Sequence, residues 1–216
     1  SKTMNTHLHI LEAYTNLLRV WRTEECLEAT SSLLSLFNDV IVDPHTHHMG
    51  LFFDDDMHRV DGDISYGHDI EASWLMLEAA ETTGDEALIA RTKEVTLHLA
   101  LAALQGRCTD GSMIYERHAS GRYDNEKHWW VQAENVVGQL YLADRHGLAA
   151  FWDKAQESWQ YIDENIVDHN SGEWFWSRLP DGTANRRDDK AGFWKCPYHN
   201  ARMCLEGASV LTSHNG

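Results

Sequence analysis

The sequence predicts an all-α fold, a closed toroid of paired helices of the (α/α) type. Three Gly-centred stretches recur along the chain: Asp43 to Asp54 around Gly50, Thr109 to Glu116 around Gly111, and Asp168 to Trp176 around Gly172, with the glycines 61 residues apart. Each stretch is followed by a helical pattern that opens with aromatic or histidine residues, Tyr66 to Trp74, His128 to Val137 and Tyr198 to Glu206. The first two patterns lead into a second, ordinary amphipathic helix, so the repeating unit is hairpin or loop, inner helix, outer helix. Helix pairs that each bury one face against their neighbours build either an open solenoid or a closed ring. Polar, aromatic-rich inner helices favour the ring, whose centre is a pocket.

Taken in order, inner helices are expected near 4–22, 67–83, 126–147 and 198–211, and outer helices near 24–38, 86–105 and 149–167. That makes seven helices, with almost no strand beyond the small hairpins. The three prolines, Pro44, Pro180 and Pro197, fall in connections or just before a helix, where a missing amide hydrogen does no harm. No linker or low-complexity tract divides the chain, and 216 residues with 43% hydrophobic content suffice for one domain with a substantial core. Residues 1–216 therefore read as a single domain. Because a helical pattern with inward-looking chemistry starts almost at Ser1, the chain is expected to begin inside a larger ring, as a fragment of it.

A formal net charge of -16 disfavours nucleic acid and anionic membrane as partners, since both need clustered Lys and Arg. A neutral small molecule fits better. No apolar run of 18 residues and no signal-peptide pattern occurs, so no membrane association is expected. Cys26, Cys108, Cys196 and Cys204 show no Cys-x-x-Cys spacing, and a reduced, cytoplasmic protein is the expectation.

Histidines carry the chemistry. Asn5-Thr6-His7-Leu8-His9, Ser65-Tyr66-Gly67-His68-Asp69-Ile70-Glu71 and Trp194-Lys195-Cys196-Pro197-Tyr198-His199-Asn200 each stand at or near a helix start. A ring that gathers helix ends around one cavity brings their imidazoles together, and imidazole gives and takes protons near neutral pH. His7 and His9 point to different helix faces, and His9 is taken as the one that enters the pocket. With tryptophans crowding the same helix starts, the residues point to acid–base chemistry on a sugar.

The stretches MNTHLHILEAYTNLLRVW, SYGHDIEASWLMLEAAE, WWVQAENVVGQLYLA and GEWFWSRLPDG followed by KAGFWKCPYHNARMCLE resemble the N-acylglucosamine 2-epimerase family, most closely its cellobiose 2-epimerase branch, over roughly residues 2 to 206. The resemblance implies an (α/α)6 barrel of twelve helices, of which this chain would hold the C-terminal half or somewhat more. It implies epimerisation at C2 of the reducing-end glucose of cellobiose or related β-1,4-linked sugars. N-acylglucosamine epimerisation or mannose/glucose aldose–ketose isomerisation on the same fold is the alternative. Carried over by position, His68 and His199 are the acid–base pair, with His9 assisting. Glu71 and Glu134 orient or polarise them, and Trp129, Trp130 and Trp194 form the aromatic wall, with Tyr66 and Asn200 as further sugar-binding candidates. The family's pocket arginine from an early inner helix lies outside this chain. Two departures stand out: Met57, where the cellobiose branch is expected to carry tryptophan, and the tail GASVLTSHNG.

The reaction stands without the family name. Inverting C2 requires ring opening, removal of the C2 hydrogen by a base within hydrogen-bond reach, donors for the cis-enediolate oxygens, and protonation from the other face. It needs neither metal nor cofactor. The run Pro44-His45-Thr46-His47-His48 could be read as a zinc site, but no partner pair at a standard helical offset completes a ligand set, so a loop facing the pocket rim is expected. Trp21, Trp74, Trp152 and Trp159 lie on apolar helix faces and are expected in the core, whereas Trp129, Trp130, Trp174, Trp176 and Trp194 cluster where sugars could stack. A glycoside hydrolase would need two opposed carboxylates, which Asp69 and Glu71 are too close in sequence to supply. A non-catalytic binding module is the remaining alternative, because fold alone does not decide function.

Overall fold

A computed structural model describes residues 2–214 of the chain. Among them run seven α-helices: α1 (Met4–Val20), α2 (Glu24–Leu36), α3 (Tyr66–Thr83), α4 (Glu86–Ala103), α5 (Trp129–Asp144), α6 (Ala150–Tyr161) and α7 (Tyr198–His214). Their starts follow from local chemistry. The hydroxyls of Thr3 and Thr23 accept from Thr6 N and Cys26 N, and the Asp85 carboxylate accepts from Ala87 N and Leu88 N, each satisfying amides that have no partner within the helix. α2 and α6 run on into five-residue π-helical turns, Phe37–Ile41 and Ile162–Ile166.

The inner helices α1, α3, α5 and α7 pack side by side in chain order, with α2, α4 and α6 behind the first three. The (α/α)6 arrangement is thereby present as a partial barrel. α5 is buried without interruption from Trp129 to Ala143, and α3 nearly so, because neighbours cover them on every side. α1 buries one stripe, Met4, Leu8, Leu11, Thr15 and Leu18, whose three- and four-residue steps follow the helical period. No helix among the described residues is long and apolar enough to cross a membrane.

The 61-residue repeat appears as three short loops, each closed by an antiparallel bridge: Val42 with Met49, Arg107 with Met113, and Val167 with Trp174. Gly111 shows why glycine is needed in the second, since its φ is 86° and a Cβ would lie 2.7 Å from the Glu157 carbonyl oxygen. Two-residue strands complete the connections. β1 (Lys2–Thr3) pairs with β2 (Phe52–Phe53), β3 (Ile64–Ser65) with β4 (Glu116–Arg117), β4 with β5 (Tyr123–Asp124), and β6 (Lys127–His128) with β7 (Ser177–Arg178), all antiparallel.

Three expectations change. The helix expected from residue 126 starts at Trp129, because Lys127 and His128 are extended and paired with Arg178 and Ser177. Trp74 is core at 1% exposure, but Trp21 at 60% and Trp159 at 43% are not. His48 does not face a rim; it is buried and its Nδ1 lies 2.7 Å from Asp69 Oδ2, while His47 stacks on His98.

Candidate active site

The N-terminal ends of α1, α3, α5 and α7 surround a cavity of about 380 Å³. His9, His68, His199 and Glu71 line it together with Trp129, Trp130 and Trp194, so seven of the ten sequence-predicted site residues meet at one place. Asn5, Tyr115, His128 and Trp176 complete the lining. A larger groove of about 600 Å³ between α5, α6 and α7 is lined largely by apolar side chains such as Val136, Leu140 and Met203, and carries no histidine. The histidines gather in the smaller cavity.

His68 sits on the first turn of α3, and its Nδ1 is 2.7 Å from the Oγ of buried Ser65. Its neighbour Gly67 lets α3 approach α5 closely, for a Cβ there would stand 2.6 Å from the Trp130 ring. That ring lies 4.7 Å from the His68 ring and 5.5 Å from the His199 ring, so it bridges the two imidazoles. Burial, assisted by the nearby His9 and His199, pushes the His68 pKa down to about 4. His68 is therefore uncharged at neutral pH.

His199, on α7, has its Nδ1 2.7 Å from Glu134 Oε1 and 3.9 Å from Glu71 Oε1. An ionised carboxylate only accepts, so Nδ1–H donates and Nε2 is left for other chemistry. Glu134 also accepts from Trp74 Nε1 at 3.0 Å and from Arg202 Nη2 at 2.8 Å. Burial would raise its pKa, but Arg202 and His199 outweigh that and hold it down at about 2. Glu71 shares the same guanidinium at 2.5 Å, yet burial and the adjacent Glu134 charge raise its pKa. One member of this carboxylate pair is thus the more readily protonated.

Arg202 is the centre of the arrangement. Its Nη1 donates to Glu12 Oε1 at 2.6 Å, and its guanidinium lies over the rings of Trp74 and Tyr198. Burial would weaken its charge, but Glu134, Glu71 and Glu12 more than offset this and raise its pKa. Glu12 in turn faces His9, with 3.1 Å between Oε2 and Nδ1. The hydrogen bond to Glu12 raises the His9 pKa, against burial. Glu71, Glu134 and His199 could together hold a metal ion, with ligand atoms within 4.8 Å of one another. Arg202 Nη2 already bonds Glu71 Oε1 and Glu134 Oε1 and supplies these oxygens with the positive charge that a metal would otherwise bring.

Three predicted residues lie off the cavity surface. Glu134 is buried beneath it, acting on His199. Tyr66 is 2% exposed and packs on Gly106, edge-on to His48. Asn200 turns to the Glu173 carboxylate, donating at 3.2 Å. Sequence reasoning missed Arg202, Glu12, Tyr115 and the site position of His128, whose ring stacks on Tyr115 at 4.2 Å. A signal for the first two existed: His9/Glu12, His68/Glu71 and His199/Arg202 all share an i, i+3 spacing that places both side chains on one helix face.

Comparison with known proteins finds relatives along nearly the whole chain. Residues 1–202 match the model of N-acylglucosamine 2-epimerase (GlcNAc 2-epimerase). The chain is 50% identical over 206 residues to a cellobiose 2-epimerase of Bacteroides fragilis, covering 95% of this chain and 53% of that protein. It is 40% identical to the cellobiose 2-epimerase of Dictyoglomus turgidum, over 95% of this chain and 52% of that one. Among solved structures, cellobiose 2-epimerase from Bacillus thermoamylovorans superimposes with a TM-score of 0.89 at 38% identity, over 94% of this chain and 52% of that one. The chain thus spans about half the length of the curated relatives it matches. A fold of paired helices, a cavity ringed by histidines and tryptophans at the inner-helix starts, and similarity along nearly the whole sequence place this chain in the N-acylglucosamine 2-epimerase family.

Proposed function

We propose that the protein acts as a sugar 2-epimerase, converting the reducing-end glucose of cellobiose or a related β-1,4-linked sugar to the mannose configuration. The observation that carries this reading is the pairing of His68 and His199 across Trp130 in one cavity, one imidazole kept uncharged by burial and the other bonded to a carboxylate. Two proton-transfer groups in contrasting surroundings are what an acid–base exchange at one carbon requires. Relatives named cellobiose 2-epimerase support the choice of substrate class.

After the sugar ring opens, one imidazole removes the C2 proton and leaves a cis-enediolate. Imidazole N–H groups and His9 stabilise its oxygens. Rotation about C2–C3 presents the other face to the second imidazole, which returns a proton. Glu134 and Arg202 position His199 without touching the sugar, and Trp129, Trp130 and Trp194 offer ring faces for stacking. The test is incubation with cellobiose in deuterated buffer. Deuterium at C2 together with glucosylmannose is the expected result. A ketose product without the epimer would point to an isomerase, release of monosaccharide to a hydrolase, and no exchange to a binding module.

A further inference from the structure

One buried charge takes no part in the reaction above. Lys195 is 1% exposed, in the connection from β7 to α7. A lysine ammonium carries three donor hydrogens, and this one has three acceptors: Glu173 Oε1 at 3.0 Å, Trp174 O at 3.0 Å and Lys190 O at 2.6 Å. Its Nζ also lies 5.3 Å from the ring centroid of Trp129, a wall of the cavity. Burial lowers its pKa, and the Glu173 carboxylate opposes that.

Gly192 and Lys195 exchange backbone hydrogen bonds of 2.8 and 3.3 Å, closing a turn whose tip is Phe193 and Trp194. These two are 92% and 80% exposed, with rings edge-on at 5.0 Å, and Trp194 reaches the cavity. A second tie holds the segment's near end, where Lys190 Nζ bonds Asp168 Oδ2 at 2.5 Å and Gly172 O at 2.9 Å. Both lysines grip the 168–174 loop. An ammonium buried with three acceptors around it has one geometry, whereas an apolar side chain in its place would take this donor from the Trp174 and Lys190 carbonyl oxygens and from the Glu173 carboxylate.

We propose that Lys195 is a positioning residue for sugar binding: it locks the Gly192–Lys195 turn so that Trp194 stands at the cavity rim as a preformed stacking surface for the sugar ring beyond the one that reacts. The proposal rests on the reading that the cavity takes a reducing disaccharide. An aromatic surface fixed in advance spares the ordering cost that a loose one incurs on binding.

The test compares purified wild-type protein with Lys195→Met and Lys190→Ala, measuring cellobiose and glucose affinity by calorimetry, turnover at saturating cellobiose, and amide hydrogen exchange over 186–195. For Lys195→Met the expected result is faster exchange in that segment and cellobiose affinity weaker by about 10-fold, or about 1.4 kcal/mol. Turnover at saturation should stay within about 2-fold and glucose affinity should hardly move, the pattern of lost uniform binding at a remote ring. Lys190→Ala, at a half-buried position, should shift cellobiose affinity in the same direction by less. Unchanged cellobiose affinity in a variant whose segment exchanges faster would overturn the proposal, as would equal weakening for both sugars. If Lys195→Met does not fold, Lys190→Ala decides by the same criteria. Wild-type C2 deuterium incorporation is scored separately: its absence removes the epimerase reading, while the affinity comparison still judges the turn.

Discussion

His199 Nδ1 lies 2.7 Å from Glu134 Oε1, on a carboxylate whose other contacts, Arg202 and Trp74, are already committed. Glu134→Gln keeps the shape but can turn an amide NH2 towards Nδ1, which favours the wrong tautomer. Turnover should fall about 100-fold or more, as it does when an orienting carboxylate is neutralised elsewhere. Steady-state epimerisation checks this, and a near-normal rate in a merely less stable variant would assign Glu134 a structural role alone.

His68→Ala and His199→Ala should each abolish both epimer formation and C2 deuterium uptake while leaving the circular dichroism spectrum unchanged. His9→Ala should retain a weak rate, because His9 faces Glu12 from a half-exposed position at the cavity edge. Residual deuterium uptake in either of the first two variants would remove that residue from proton transfer at C2.

His68 and Glu134 both make the fold acid-sensitive, with the same sign, as do Glu12 and His146. His68 titrates at about 4 in the folded chain against about 6.5 unfolded, so its stabilising effect is complete above 6.5 and is lost as pH falls towards 4. Glu134 titrates at about 2 against 4.5, so its contribution is present above 4.5 and is lost between there and 2. Urea midpoints at pH 7 and pH 5 should differ more for wild type than for His68→Gln. Equal differences would show that His68 is not the group responsible.

Gly67→Ala introduces a methyl 2.6 Å from Trp130 and 2.7 Å from Val131. Overpacking of this kind costs about 1–3 kcal/mol, and here the ring that must move is the one between the two imidazoles. Both a lower melting temperature and slower turnover are expected, measurable on the same sample.

Exhaustive chelation should leave turnover intact, since Arg202 supplies the positive charge at the carboxylates that a metal would otherwise neutralise. Activity lost with EDTA and restored by a divalent ion would revive a metal at Glu71, Glu134 and His199.

The helices were legible in the sequence because inner and outer patterns alternate with a fixed loop period, and the cavity histidines because they stand at helix starts. What escaped is instructive. Tyr66 lies two residues before His68, yet the backbone of β3 turning into α3 sends its ring to Gly106. Arg202 escaped for the opposite reason: its i, i+3 spacing from His199 puts it on the same helix face, but its meaning comes only when α1, α3 and α5 each bring a carboxylate to it, a long-range meeting that the spacing alone does not specify. Trp21 and Trp159 are apolar by type, but the faces they occupy are left open.

The meeting of Glu12, Glu71 and Glu134 on one guanidinium has a thermodynamic meaning. Each carboxylate comes from a different inner helix and the arginine from a fourth, so drawing any one helix away strands charge in a poorly solvated interior, at about 3 kcal/mol or more. Partial opening is therefore penalised nearly as heavily as general loosening. The imidazole of His199 hangs from the same network, so the fixed orientation of that ring and the mutual docking of the four helices form a single cooperative population.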